Sequence, residues 1–141
     1  MLHFPADKVY APVVAGLHAE CFEKPWQEAD FASLLSLPSS VLIVEETGFL
    51  LASFVAGEME ILTFCVVPSA RRQGRGRVLL QSALDFARKQ GGERVFLEVR
   101  ADNTPALALY RQMGFQVSGC RKGYYHTSAG SIDAVCMVKE I

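Results

Sequence analysis

The chain has 141 residues, half of them hydrophobic and 21% charged, and its 14 basic and 15 acidic side chains leave a net charge of −1. That is the size and composition of a single soluble domain, residues 1–141, able to bury a core, and it lacks the overall basic field that draws a protein to nucleic acid. No run reaches the length of a membrane span and no basic, then apolar, leader opens the sequence, so the expected location is cytoplasmic with no membrane partner.

From residue 7 to 22, Val9, Val13, Leu17 and Cys21 recur at helical spacing, with Pro12 near the start where proline is tolerated. Pro25-Trp26 interrupts the pattern. Residues 28–37 set Phe31, Leu34 and Leu35 on one face of a second helix, which Pro38 stops. Residues 41–45 and 49–56 read as strands joined at Thr47-Gly48, and 58–67 as the third strand of that meander. A helix with apolar residues at 79, 80, 83, 84 and 87 follows, ended by Gly91-Gly92, and residues 95–99 form another strand. Thr104-Pro105 offers an N-cap and a first-turn proline for a helix running to Gly114. Residues 115–120 and 134–138 close the chain as strands, linked through Gly123-Tyr124-Tyr125-His126 and a polar loop near Ser128. The order predicts an α/β (α+β) fold, a mixed and mostly antiparallel central sheet with helices on both faces.

Chemistry concentrates between the third strand and its helix, in Pro68-Ser69-Ala70-Arg71-Arg72-Gln73-Gly74-Arg75-Gly76-Arg77. Glycines at a strand-to-helix turn let backbone N–H groups approach a ligand, and the helix adds its dipole and unpaired donors, so phosphate oxygens suit the turn. Arginines 71, 72, 75 and 77 make a local basic focus. No Gly-Lys-Ser/Thr closes the loop, which rules out a P-loop. Leu79 stands where a dinucleotide fingerprint needs its third small residue. Arg71-x-x-Gly74-x-Gly76 instead resembles the pyrophosphate loop of the GNAT family of N-acetyltransferases.

The likeness extends along nearly the whole chain. Cys21-Phe22 through Pro25-Trp26 with Phe31-Ala32-Ser33, the run Leu97-Glu98-Val99-Arg100, residues 103–110, and Arg121-Lys122-Gly123-Tyr124-Tyr125 are similar to the RimI-type ribosomal-protein-alanine N-acetyltransferases of that family. The resemblance implies acetyl-CoA as co-substrate, held by Arg72, Gln73, Gly74, Arg75, Gly76, Arg77 and Asn103, with the splayed strand end Phe64, Cys65 and Val66 supplying backbone contacts. It implies Glu98 as general base, Tyr110 as general acid to the coenzyme thiolate, and Tyr124 and Tyr125 as walls of a slot for a peptide N-terminus. A ribosomal protein N-terminus beginning with alanine is then the expected acceptor, and the oligomeric state stays open.

The residues taken alone carry plainer readings. Glu98, a carboxylate in an apolar strand, is either a base or the partner of Arg94 or Arg100. Tyr110 also fits a core stripe, Asn103 a helix cap, and Tyr124-Tyr125 two exposed aromatics on a hairpin loop. Cysteines 21, 65, 120 and 136 stand singly and read as buried free thiols of a reducing compartment. None has an apparent His and acid partner for nucleophilic chemistry. His3, His18 and His126 share no metal-site spacing, so no metal is expected. Acetylation of a small amine, or non-catalytic sensing of an acyl-coenzyme A, are the alternative functions.

Overall fold

The computed structural model describes residues 6–141, so His3 lies outside the described residues. Six strands, β1 (Ser40–Glu45), β2 (Gly48–Val55), β3 (Glu58–Val66), β4 (Arg94–Arg100), β5 (Gln116–Thr127) and β6 (Gly130–Glu140), form one sheet in the order β1-β2-β3-β4-β6-β5. Every pairing is antiparallel except β3 with β4. Four helices flank it: α1 (Ala11–Cys21), α2 (Glu28–Leu35), α3 (Arg75–Lys89) and α4 (Thr104–Gln112).

The sheet divides two cores. Val41, Ile43, Leu50, Met59, Leu97 and Val99 pack with α3 and α4 on one face, while Leu42, Val44, Phe49 and Leu51 pack with α1 and α2 on the other. That double cover explains why β1 reads Ser-Val-Leu-Ile-Val-Glu without polar alternation. On α3 the buried face is Leu79, Leu80, Ala83, Leu84 and Ala87, as the periodicity predicts. Each of its three leucines is worth about 1.5–3 kcal/mol of burial, which clamps the loop before α3 to the sheet. The α1–α2 core draws on β1, β2 and β3 but on no residue of β4, β5 or β6. The matching face of β4 is therefore left open.

Four expectations need correcting. The first helix begins at Ala11, after a 3₁₀ turn at Lys8–Tyr10 that Asp7 caps by accepting from the Val9 N–H at 2.9 Å. A 3₁₀ turn has three residues per turn and shifts the helical phase. Val9 and Val13 accordingly face solvent, and Ala11, Val14, Leu17 and His18 go inward. The second helix stops at Leu35 rather than 37, where the Ser36 hydroxyl turns back to Ala32 O at 2.7 Å. Tyr124 and Tyr125 lie not in a loop but on β5, which continues to Thr127 through a bulge after Arg121. Of the four free cysteines only Cys65 is buried, and Cys120 is exposed.

Candidate active site

β3 and β4 pair from Glu58 with Arg94 to Ile61 with Leu97 and no further, although both strands run on, to Val66 and Arg100. The cause lies in β3. Opposite β2, Ala52 faces Ile61 and Leu51 faces Thr63, so Leu62 is an extra residue and the strand bulges there. The bulge also reverses its side chains, for Ile61 joins the α3–α4 core and Cys65 the α1–α2 core. Past Ile61 the strands separate, and the edge of β3 carrying Phe64, Cys65 and Val66 has no strand beside it. The splayed end expected from the sequence is present.

The glycine-rich turn sits beyond that end. Arg72 and Gly74 both hold positive φ, 64° and 76°, and Gly74 caps α3. The left-handed conformation costs a β-carbon-bearing residue such as Arg72 on the order of 1–3 kcal/mol, the kind of strain found where backbone is aimed at a ligand. The first bond of α3 runs from the Val78 N–H to Gly74 O at 3.1 Å, so the amides of Arg75, Gly76 and Arg77 emerge from the helix end without intrahelical acceptors. A β-carbon at Gly76 would stand 3.4 Å from Phe64 Cζ, closing the space between turn and strand.

The basic focus is a different matter. Arg71 Nε donates to Val66 O at 2.8 Å, Arg75 to Thr47 Oγ1 at 3.2 Å and Gln73 Oε1 at 3.2 Å, and Arg77 to Gln112 Oε1 at 2.6 Å on α4. Arg75 also pairs with Glu45 at 3.7 Å. Of the four guanidiniums only that of Arg72 makes no hydrogen bond or ion pair among the described residues. The turn offers an anion its backbone first, and its guanidiniums mostly brace neighbouring elements.

Glu98 is the first residue of β4 beyond the pairing with β3. Leu97 and Val99 point into the α3–α4 core, so Glu98 projects from the opposite, uncovered face. It is exposed, not buried as its apolar strand suggested, and its partner is neither Arg94 nor Arg100. Arg121 Nη1 on β5 donates to Glu98 Oε1 at 2.9 Å, with 51% and 34% of the two side chains accessible. Arg94 instead meets Glu58 and Glu140, and Arg100 forks onto Asp102. A pair this exposed to solvent contributes little to stability. Tyr124 lies under the same guanidinium, whose Cζ is 3.8 Å from the ring centroid, and Tyr125 meets Tyr124 edge-on at 5.1 Å.

Tyr110 occupies the other face. On α4 it is buried in the α3–α4 core, with ring centroids 6.3 Å from Phe64 and 5.8 Å from Phe115. Burial, with a smaller contribution from Tyr125, pushes its phenol above the ordinary tyrosine value. Tyr110 thus keeps its proton at neutral pH. Burial raises Tyr125 too, followed by the Glu98 carboxylate and Tyr124. Glu98 thus stands just past the last β3–β4 pair on the uncovered face, and Tyr110 packs against Phe64 of the unpaired β3 end from the α3–α4 face. Asn103 caps α4, its Oδ1 accepting from the Ala106 N–H at 3.3 Å, so the plain reading of that residue holds and the N-cap is not Thr104.

His18 was not singled out by the sequence. It is buried on α1, stacked on Phe22 at 4.1 Å and on Trp26 at 5.3 Å, and edge-on to Phe31 at 5.3 Å. Its Nδ1 accepts the Trp26 backbone N–H at 3.1 Å, so the ring proton sits on Nε2 and donates to Thr63 Oγ1 at 3.2 Å. One imidazole thereby fastens the α1–α2 connection to β3 beside the bulge. Burial lowers its pKa to about 4. The aromatics Phe22, Trp26 and Phe31, at spacings of four, eight and thirteen from His18, were the available signal.

Among the described residues no group of three His, Cys, Asp or Glu could hold a metal ion, and no helix is long and apolar enough to cross a membrane.

The profile of the Acetyltransferase (GNAT) family matches residues 12–115. The chain is 36% identical over 121 residues to the [Ribosomal protein bS18]-alanine N-acetyltransferase of Escherichia coli K12, covering 83% of this chain and 82% of that protein. It is 39% identical over 138 residues to N-alpha-acetyltransferase RimI of Mycobacterium tuberculosis, covering 89% and 84%. The crystal structure of the ribosomal-protein-S18-alanine N-acetyltransferase from Escherichia coli superposes with a TM-score of 0.91 at 30% identity, over 100% of this chain and 94% of that one. With the glycine turn, the bulged β3 and the splayed strands in their places, the chain belongs to the acetyltransferase (GNAT) family.

Proposed function

We propose that this protein transfers an acetyl group from acetyl-CoA directly to the α-amine of a protein N-terminus, with alanine as first residue and a ribosomal protein as the acceptor, acting in the cytoplasm where its four free thiols are stable. The observation that carries the reading is the parting of β3 and β4 after Ile61 and Leu97, with Glu98 the next residue of β4 on one face and Tyr110 packed against Phe64 of β3 on the other. Similarity to relatives named for acetylating ribosomal protein bS18 at alanine supports the acceptor.

Acetyl-CoA supplies the acyl group as a thioester. Backbone N–H groups of residues 72–77 bind its pyrophosphate, and the free edge of β3 at Phe64, Cys65 and Val66 lines the arm that reaches the opening. Glu98 takes the proton that the amine loses as its nitrogen bonds to the carbonyl carbon. Tyr110 gives its hydroxyl proton to the sulfur as the carbon–sulfur bond breaks. The two proton transfers need opposite directions, and the sheet keeps their agents on opposite faces. Tyr124 and Tyr125 form the peptide slot.

An α-amine with a pKa of about 8 is partly neutral near pH 7, whereas lysine at about 10.4 is almost wholly charged. A peptide beginning with alanine is therefore acetylated, and the same peptide with a blocked N-terminus and an internal lysine is not. Mass spectrometry of the two products tests this. Equal modification of the lysine overturns the N-terminal assignment, and modification of neither overturns protein acetylation.

A further inference from the structure

Arg121 has no role in the reaction outlined above, yet it is the one cation paired with Glu98 among the described residues. Its environment is built. The guanidinium donates to Glu98 Oε1 at 2.9 Å from one side and lies over the Tyr124 ring at 3.8 Å on the other. Immediately after it β5 bulges, so that Arg121 faces Ala134 while Tyr125 faces Ile132. Gly123 turns through φ 61°, and its N–H is held by Asp133 Oδ1 at 2.8 Å. This bulge brings Tyr124 back under Arg121, which regular alternation would not do. Free sequence could have placed Arg121 in solvent, and the hairpin instead fixes it against the carboxylate.

Apart from Arg100 and its partner Asp102, the side chains facing the pair are uncharged. Glu98 on β4, Tyr124 on β5 and Cys136 on β6 face Arg121, and Tyr125 on β5 and Cys136 face Glu98. Arg100 stands 6.0 Å over the Tyr125 ring but is tied to Asp102, with Glu23 of the α1–α2 connection facing it. An amine delivered to Glu98 therefore meets a carboxylate whose charge the Arg121 guanidinium offsets.

We infer that Arg121 is a positioning residue that holds Glu98 at the opening and, by its charge, opposes protonation of the acceptor amine there. The inference rests on the N-terminal acetyltransferase reading. A cation within a few ångströms favours the uncharged form of a neighbouring amine, and only the uncharged form can attack. The paired carboxylate at the same time stays aimed at the proton it receives. An arginine with a purely structural role would support the hairpin at every pH alike.

The test is the pH profile of kcat, from about pH 6 to 9.5, for acetylation of an alanine-initiated peptide by the wild type, Arg121→Gln, Arg121→Met and Arg121→Lys. Removing the charge moves the acidic limb of kcat to higher pH by about one unit, so both neutral variants are about tenfold slow near pH 6.5 and recover toward wild type near pH 9. Arg121→Lys keeps the wild-type limb, and the KM for acetyl-CoA is unchanged in all three. An unshifted limb in both neutral variants, with any loss equal at every pH, overturns the role of Arg121. A wild type that leaves the peptide unmodified while acetylating a small amine overturns the acceptor reading instead, and the inference with it.

Discussion

Glu98 differs from a surface glutamate only in its position on β4, one residue past the point where β3 departs. Tyr110 differs from a core tyrosine only in packing against Phe64, on the end of β3 that β4 leaves unpaired. Their proposed roles separate them from structural residues in a measurable way. Glu98→Gln and Tyr110→Phe keep shape and size, so both fold and bind acetyl-CoA with unchanged affinity, while turnover drops on the order of 10²-fold or more. The Glu98→Gln loss shrinks as pH rises, because solvent then removes the amine proton. The Tyr110→Phe loss persists, since the phenol it lacks is protonated throughout that range. Normal turnover by either variant in a steady-state assay removes that residue from the mechanism.

Among the elements, the turn into α3 is the one whose backbone the proposed reading gives to the coenzyme. Gly74→Val forces a branched side chain to φ 76°, and Gly76→Val fills the gap to Phe64. Both are expected to abolish measurable acetyl-CoA binding in calorimetric titration while circular dichroism shows the fold intact, because the leucines of α3 remain buried. Unchanged affinity in both would put the coenzyme elsewhere. This turn and α3 were legible in the sequence because glycine positions and a 3.6-residue period are local properties. The Leu62 bulge was not, since it exists only as a mismatch between β2 and β3. Nor was the partner of Glu98: Arg94 and Arg100 share its strand face, but Glu58, Glu140 and Asp102 engage them, and Arg121 arrives from β5 through the sheet order. Gly123 within an apparent loop was the mark of the bulge that carries Tyr124 under that arginine.

For the whole molecule, the two cores are not equally tolerant of acid. The α1–α2 side closes over His18, whose pKa falls to about 4 through burial, against about 6.5 when the chain is unfolded. Between those values the unfolded chain binds the proton that the folded one refuses, so stability declines as pH drops from about 6.5 to 4 and this contribution is constant above that window. The full loss is on the order of 3 kcal/mol, enough to move the urea midpoint clearly between pH 7 and pH 4.5. His18→Gln retains a donor toward Thr63 but does not titrate, and it shows a smaller change across the same interval. An identical midpoint shift in the variant would assign the acid sensitivity to other groups.

The sheet's opening has one more consequence. On the proposed reading acetyl-CoA comes from the side of α3 and the peptide from the uncovered face of β4, so the reactants use separate doorways and meet only at the reacting atoms. Neither blocks the other's way in, however concentrated it becomes. A finished peptide can withdraw while the spent coenzyme is still seated, and a fresh coenzyme can dock behind a peptide that has not yet left.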